Sequence, residues 1–345
     1  MDFSLTAEQL ELRRMLRDVT ADHCSSARRR EVMATPTAED QALWRLLTHD
    51  LGLVGVAVPE QAGGLGGTFV DAAVVIEEAG RGLWPTPLVP ALAAVSAVGK
   101  SEGVEDVLRE LAGSEHRGAV VAGDAVAVST ARLTGVVDQV VGAQGADRLL
   151  VAVSDALWLV ESSYFKVDSR AGMDPLRPLS TVHLADARGR RLADAAASAR
   201  ALDILRVALA VEAVGVAQWC LDTTVDYLKT REQFGRPIGS FQALAHRASD
   251  LAVDLSAATS TAYYAAWCVD GAPEELPVVA PLAKSACTDA AYRIAGEAIQ
   301  MHGGIGFTWE HDAHLYFKRA AALRLLLGDS HQQRRLVASR ANLFG

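Results

Sequence analysis

Hydrophobic positions recur at helical spacing over the first third of the chain. Apolar residues three or four apart follow Thr6, which is suited to cap a helix that runs to about His23. Further helices are predicted over Asp40–His49 and Val70–Gly80, and Gly63–Gly67 marks a turn between them. This turn lacks the Lys-Ser/Thr of a phosphate-binding loop, so a structural role is favoured.

The middle of the chain has a different pattern. Short runs rich in Val, Leu and Ala, separated by Gly, Asp and Ser, are typical of β-strands. These runs are Ala119–Ser129, Gly135–Val141, Leu149–Val153 and Ala156–Val160. The pattern therefore predicts a small β domain.

Helical spacing returns at Ala201 and continues to about Leu326. The predicted helices are Ala201–Lys229, Phe241–Val269, Val278–Met301 and His314–Leu326. Because only short breaks join them, they indicate a bundle. The whole pattern predicts an α+β fold, with an N-terminal helical domain at residues 1–112, a middle β domain at 113–200 and a C-terminal four-helix bundle at 201–345.

Composition narrows the class of protein without changing this fold. Half of the 345 residues are apolar, and 33 basic against 42 acidic residues give a net charge of -9. Because no basic block stands out, we expect no nucleic-acid partner. By inspection of the sequence, no apolar run reaches the length needed to cross a bilayer, and the N-terminus lacks a basic region followed by an apolar one. We therefore expect no membrane span and a cytoplasmic location.

The metal-binding residue types are not arranged as a metal site. The four cysteines are widely spaced without a Cys-x-x-Cys pair, so we expect buried free thiols rather than disulfides or zinc ligands. His311 and His314 could share a helical face, but no second motif supplies a third ligand. We expect them to be structural or interface residues, and no metal.

Two C-terminal stretches carry the candidate chemistry. Arg231–Gln242 interrupts the helical pattern with two glycines and a proline, and Gln300–Thr308 contains three glycines after a helix. Such breaks expose backbone N–H groups, and glycine lets the backbone approach a ligand closely. Arg231 offers a planar charged fork that suits a pyrophosphate, although an Arg at a helix end also serves as a solvated charge. A glycine-rich helix cap is the simpler explanation of the second stretch taken alone.

Together these stretches closely resemble the two flavin-binding signatures of the acyl-CoA dehydrogenase family, Arg-x-Gln-Phe-Gly and Gln-x-x-Gly-Gly-x-Gly-Phe. Val58–Gly67 followed by Glu77–Arg81 also resembles the family's N-terminal domain. The resemblance implies an FAD-dependent oxidoreductase, in which both signatures contact FAD held mainly by a neighbouring subunit. The residues that it assigns to FAD contact are Arg231, Gln233, Phe234, Gln242, Gln300, Gly303 and Gly304.

The catalytic base of the family is missing from its expected places. The reaction needs a carboxylate near the carbon alpha to the thioester, while the flavin takes a hydride from the beta carbon. In most members a Glu follows an Arg that resembles Arg319, and the matching position here is Gly328. In others the base lies on the first bundle helix, where Leu205 stands. Asp329 is the first candidate for a substitute base.

Other carboxylates near these positions are poorly placed. Asp203 is turned about 200° around the helix from Leu205, and Glu212 lies about two turns along it. The family's Thr-Glu-Pro segment, which helps to hold the flavin ring, has no match between residues 113 and 200. The chain thus has the residues that would contact a neighbouring subunit's FAD and lacks the residues that would hold an FAD of its own.

In this respect the chain resembles the shorter, degenerate subunit of the heteromeric acyl-CoA dehydrogenases of actinobacterial steroid side-chain breakdown. The resemblance implies a flavoprotein of lipid metabolism: an α2β2 heterotetramer with a longer subunit that shares its FAD and supplies the base. The implied substrate is a bulky, steroid-derived acyl-CoA, and the implied electron acceptor is electron-transfer flavoprotein. Two alternatives stay open: a self-sufficient homomeric dehydrogenase with a substitute base such as Asp329 or another carboxylate, and a non-catalytic scaffold subunit.

Overall fold

The N-terminal part of the protein is helical. The computed structural model describes residues 4–343 apart from 100, 102, 114 and 115, so residues 1–3, 344 and 345 of the predicted outer domains lie outside the described residues. The helices of this part are α1 Ala7–His23, α2 Ser26–Met33, α3 Gln41–Arg45, α4 Phe69–Gly82, α5 Leu88–Val98 and α6 Glu105–Ala112.

Capping residues explain where several of these helices begin. Thr6 and Gln9 form a capping box at the start of α1, which confirms the helix predicted from Thr6. Asp40 accepts hydrogen bonds from the first backbone N–H groups of α3, but this helix changes at Leu46–Asp50 into a π-helical turn. The predicted helix over Asp40–His49 is therefore two different segments.

The middle of the chain forms a mixed sheet. Its strands are β1 Gly118–Ala122, β2 Val126–Ser129, β3 Arg132–Val141, β4 Arg148–Val153, β5 Ala156–Glu161, β6 Phe165–Arg170 and β7 Leu179–Asp194. Their order is β1-β4-β5-β7-β3-β2, with β6 paired to β7. β1 and β4 are parallel, whereas the remaining pairs are antiparallel.

The strand β7 joins the two halves of this sheet and was not predicted from the sequence. It has 16 residues and pairs with β3 and β6 along its first part and with β5 along its second part. Near the crossing, a Cβ on Gly189 would lie 2.5 Å from the Leu133 side chain, so glycine is required there. The shift in β3 between Val137 and Val140 is a bulge that bends the strand.

The C-terminal part is a bundle of long helices. They are α7 Ala195–Thr230, α8 Gln242–Gly271, α9 Leu276–His302, α10 Ala313–Leu325 and α11 Ser330–Arg340. The hairpin strands β8 Glu232–Gln233 and β9 Arg236–Pro237 lie between α7 and α8. The α+β order of helices, sheet and helices is confirmed, but α7 starts at Ala195 rather than Ala201, and α11 adds a helix to the predicted four.

The helix α7 is the centre of the molecule. It packs against α4, α5, α8 and α9 and against one face of the sheet. By length and composition alone it could cross a membrane, contrary to the expectation from the sequence, but 89% of its most apolar 18-residue window is buried inside the protein. All four cysteines are buried and free, which confirms the expectation for the thiols.

Candidate functional site

The two signature stretches lie at the same end of the bundle. α7 and α9 pack along each other and both end there, at Thr230 and His302. The ring of Tyr227, in the last turn of α7, stacks on the ring of His302 with centroids 4.6 Å apart. Arg231–Gln242 and Gln300–Thr308 therefore start from neighbouring helix ends, although they are far apart in sequence.

The first stretch is a tight hairpin with a strained tip. Gln233 pairs with Arg236, and the two tip residues both have positive φ, +53° for Phe234 and +73° for Gly235. A left-handed conformation costs a non-glycine residue roughly 1–2 kcal/mol. The Phe234 side chain is 92% exposed, so burial within this chain does not offset that cost. Strain of this kind is concentrated at functional sites.

Polar groups around this hairpin are open to solvent. Arg231, Gln233 and Gln242 are exposed, and the guanidinium of Arg231 has no hydrogen bond or ion pair within the described part of the chain. α8 begins at Gln242 without a side-chain cap. An uncapped N-terminus of a 30-residue helix presents free N–H groups to an anion. The arrangement suits a phosphate-bearing ligand that approaches from outside.

The second stretch presents bare backbone. Gly303 has a φ of +63°, and a Cβ on Gly303 or Gly304 would meet no atom within 4 Å. Gln300 is exposed, and the Phe307 side chain is 83% exposed. A large aromatic side chain in solvent beside open glycine backbone is typical of a surface that another molecule covers.

The histidines beside this loop belong to an aromatic stack rather than to a metal site. The ring of His311 lies 4.4 Å from that of His302 and 6.3 Å from that of Trp219. Burial lowers the pKa of both histidines, and in His311 the neighbouring His302 lowers it further. Within the described residues, no group of three or more His, Cys, Asp or Glu is placed to hold a metal ion.

The two positions expected for the catalytic base meet at one cavity. This cavity has a volume of about 210 Å³ and lies between the sheet, α7 and the end of α10. Leu205 and Gly328 both line it. Its lining residues are Val120, Ala122, Val137, Asp138, Gln139, Val140, Val141, Leu205, Leu209, Leu326, Leu327 and Gly328. The lining is thus mainly aliphatic, with polar groups contributed by β3.

The candidate substitute bases are engaged elsewhere. Asp329 is the N-cap of α11, where its carboxylate accepts from the N–H of Gln332 at 2.8 Å, and this hydrogen bond lowers its pKa. Burial raises the pKa of Asp203, against the opposing effect of its ion pairs with Arg206 and Arg340. Neither carboxylate lines the cavity.

Glu212 is held in a buried group of four charges. Its carboxylate accepts from Arg177 at 2.6 Å and from Arg319 at 2.8 Å, and Arg319 also pairs with Asp174. Burial raises the pKa of Glu212, but the two guanidinium groups outweigh this effect and hold the pKa below its usual value. The cluster joins the loop before β7 to α7 and α10, and its role is structural.

Sequence reasoning missed the residues that shape the cavity from the β domain. Asp138 and Gln139 occupy the bulge in β3, and the Gln139 backbone has a φ of +60°. The Asp138 carboxylate accepts from Thr181 at 2.6 Å. A bulge changes which face a side chain occupies, and no local sequence signal fixed its position here.

The residues that the family resemblance assigns to FAD contact suit the adenosine diphosphate half of FAD. The cavity does not suit the flavin half. An unpaired Arg, an uncapped helix N-terminus and open glycine backbone suit the adenosine diphosphate half of FAD on a surface. Cofactor sites usually have volumes of about 300–1,000 Å³. The cavity of about 210 Å³ at Leu205 and Gly328 is too small for a flavin ring together with a thioester.

Comparisons with known proteins show the family to which this fold belongs. The profile of the acyl-CoA dehydrogenase N-terminal domain matches residues 6–115, and that of the C-terminal domain matches residues 195–342. The chain is 36% identical over 337 residues to the acyl-CoA dehydrogenase IpdE2 of Mycobacterium tuberculosis, and the match covers 96% of each protein. It is 39% identical over 302 residues to the acyl-CoA dehydrogenase FadE34 of that organism, covering 84% of this chain and 40% of FadE34.

Solved structures show the same similarity over the sheet as well as the helices. The ChsE4-ChsE5 complex from Mycobacterium tuberculosis matches with a TM-score of 0.91 and 26% identity, over 100% of both chains. A variant of the Tcur3481-Tcur3483 steroid ACAD matches with a TM-score of 0.89 and 29% identity, over 97% of this chain and 98% of that one.

Proposed function

We propose that this chain, which belongs to the acyl-CoA dehydrogenase family, is the subunit that completes the FAD site of a longer catalytic partner. The family consists of oxidoreductases that use FAD. The observation that carries the proposal is the contrast between two regions. Arg231, Phe234 and the backbone at Gly303 are open to solvent, whereas the cavity at both base positions is small and mainly aliphatic.

In the proposed complex, this chain contacts the outer half of the partner's FAD. Arg231 and the N-terminus of α8 bind the pyrophosphate, because a guanidinium fork and free N–H groups both favour phosphate oxygens. The backbone at Gly303 and Gly304 lies against the cofactor, and Phe234, Gln233, Gln242 and Gln300 complete the contact. When bound, FAD takes the hydride that leaves the beta carbon of the acyl group.

The partner supplies the base and the surroundings of the flavin ring. Leu205 and Gly328 have no group that accepts a proton, so this chain contributes no base from either position. The relatives support a paired arrangement. ChsE4-ChsE5 is named as a complex, and more than half of FadE34 lies outside the segment that this chain matches.

The proposed substrate is the CoA thioester of a bulky, steroid-derived acid, and its support is the similarity to a protein named as a steroid ACAD. The proposed electron acceptor is electron-transfer flavoprotein, as the family resemblance implies. On the family resemblance, we also propose an α2β2 complex in the cytoplasm that acts in lipid and steroid degradation.

A self-sufficient homomeric dehydrogenase would need a substitute base, for which Asp329 is the first candidate. Its carboxylate instead caps α11 in a capping box with Gln332, and a lowered pKa makes a weaker base. The scaffold alternative needs no flavin contact, but it leaves the strained and 92% exposed Phe234 without a role.

Co-expression with a longer acyl-CoA dehydrogenase from the same organism, one that keeps the base Glu, tests the proposal. We expect one complex that holds about one FAD for every two chains, in keeping with a closed α2β2 assembly. The partner purified alone should hold little FAD. An active, flavin-loaded homo-oligomer of this chain alone would contradict the proposal and favour the self-sufficient enzyme, whereas a colourless complex would favour the scaffold.

A further inference from the structure

Asp312 stands at the N-cap of α10 but does not cap that helix. The side chain of an Asp at this position usually accepts from the first free N–H groups, which stabilises a helix by about 1 kcal/mol. In this protein no side-chain cap bond forms, and the N–H of Ala313 donates instead to Nδ1 of His311 at 3.1 Å. The Asp312 carboxylate is therefore directed to another part of the chain.

That part is α2, which lies about 280 residues earlier in the sequence. Ser26 donates to Oδ1 of Asp312 at 2.8 Å, and Arg29 donates to Oδ2 at 2.6 Å. Arg30 also donates to Oδ1. Arg29 is 6% exposed and Asp312 is 8% exposed, so the charge-assisted bond between them is shielded from water, whereas the bond from Arg30 is only partly buried. We call Ser26, Arg29, Arg30 and Asp312 the α2 latch.

The latch also holds the loop backbone directly. A second nitrogen of Arg30 donates to the carbonyl oxygen of Trp309. Trp309 lies between the glycine-rich turn and Asp312, and its side chain is 61% exposed. The latch thus fixes the far end of the loop that starts at His302.

Between these ends, Gly306 is buried against Ile299, but the tip of the turn is open. A Cβ on Gly303 or Gly304 would meet no atom within 4 Å, and the side chain of Phe307 is 83% exposed. Since a hydrogen bond weakens steeply with misplacement, the backbone of this turn must be held at both ends to meet a ligand.

We propose that the α2 latch positions the Gly303–Phe307 turn for contact with FAD, and that the N-terminal helices thereby determine how tightly the complex retains its flavin. This inference rests on the proposed function, because it assigns the latch to the same shared site. Arg30 and Asp312 are positioning residues in this scheme and do not touch the cofactor.

The test measures FAD dissociation from the complex with the longer subunit. Arg30→Gln removes the bonds to Asp312 and Trp309, and we expect dissociation about tenfold faster, as for the loss of a hydrogen bond to a charged group. Arg28→Gln is the matched control on the same helix, because Arg28 pairs with Asp40 at 2.7 Å and not with the loop. The control should leave the rate unchanged.

A conservative variant distinguishes a positioning role of Arg30 from a general effect on stability. Arg30→Lys keeps the positive charge beside Asp312, so its FAD dissociation rate should lie between those of the native complex and Arg30→Gln. Equal acceleration by Arg28→Gln and Arg30→Gln would overturn the proposal, as would an unchanged rate in Arg30→Gln. If Arg30→Gln yields no complex, Ser26→Ala removes a single donor to Asp312 and must accelerate FAD loss for the proposal to stand.

A further variant distinguishes failure of this inference from failure of the proposed function. Arg231→Ala should accelerate FAD loss whether or not the latch acts, because Arg231 belongs to the proposed contact itself. If Arg231→Ala has an effect and Arg30→Gln has none, only the latch is wrong. If neither has an effect, the shared FAD site is wrong as well.

Discussion

Two regions of the bundle have opposite character. The region at the ends of α7 and α9 has a strained and exposed tip at Phe234. The region at Leu205 and Gly328 surrounds a small, mainly aliphatic cavity, and farther along α7 the buried Glu212 is held by two arginines. The first region has a cost in stability, whereas the side chains of the second are buried and contribute to stability.

The difference indicates which region contributes to folding and which is available for binding. A strained side chain in solvent adds nothing to the stability of its own chain, so its exposure favours a role in binding. Each buried aliphatic side chain around the inner cavity contributes roughly 1.5–3 kcal/mol to stability. The predictions below test whether stability and flavin binding are separate in these two regions.

The largest effect is expected from Glu212→Gln. This change leaves Arg177 and Arg319 buried beside a neutral group, and breaking a buried ion pair costs about 3–5 kcal/mol. Chemical denaturation of the complex should show this loss in the free energy of unfolding. FAD content of the folded complex should stay unchanged; loss of flavin without loss of stability would give the inner region a functional role and break the comparison.

Two glycine substitutions should have opposite effects on stability and FAD affinity in the two regions. Gly328 has a φ of +98° and a Cβ there would lie 2.8 Å from Oε1 of Gln332, so Gly328→Ala should cost about 1–3 kcal/mol of stability. Gly304→Ala meets no atom of this chain within 4 Å and should leave stability unchanged. We expect the reverse for FAD affinity, which titration of the apo complex measures: only Gly304→Ala should weaken it.

Acid should weaken the outer region. Burial lowers the pKa of His302 and His311 in the folded protein, while unfolded histidine titrates near 6.5. Their contribution to stability is therefore present above about pH 6.5 and is lost as the pH falls through the lowered folded values. Thermal unfolding between neutral and mildly acidic pH should show this loss, and His302→Gln should reduce it.

The smallest effect is expected from Asp329→Asn. Asn caps helices about as well as Asp, so the free energy of unfolding should change by no more than a few tenths of a kcal/mol. Turnover of the complex should also be unchanged, because the carboxylate is a cap and not a base. A large loss of turnover with normal stability would restore the self-sufficient enzyme as the better explanation.

The local pattern of apolar residues was sufficient to predict the helices and strands that bury one continuous face. The four predicted bundle helices and the strands from Ala119 to Val160 are present, because helical spacing and short apolar runs report burial directly. β7 was missed because its second half alternates with arginines such as Arg188 and Arg190, as expected for a strand with one exposed face. The start of α7 was placed six residues late, since Asp194 rather than an apolar residue marks its cap.

By itself, the sequence determined most of the helices and strands, the cap at Thr6, the α+β order, and the absence of a carboxylate at Gly328 and Leu205. These properties depend on the residue itself and on neighbours within a few positions. Only the tertiary structure decided that Gly328 and Leu205 line one cavity and that Asp312 reaches α2. Each of these depends on a contact between distant segments, and such contacts are fixed by packing of the whole core, which no local pattern encodes.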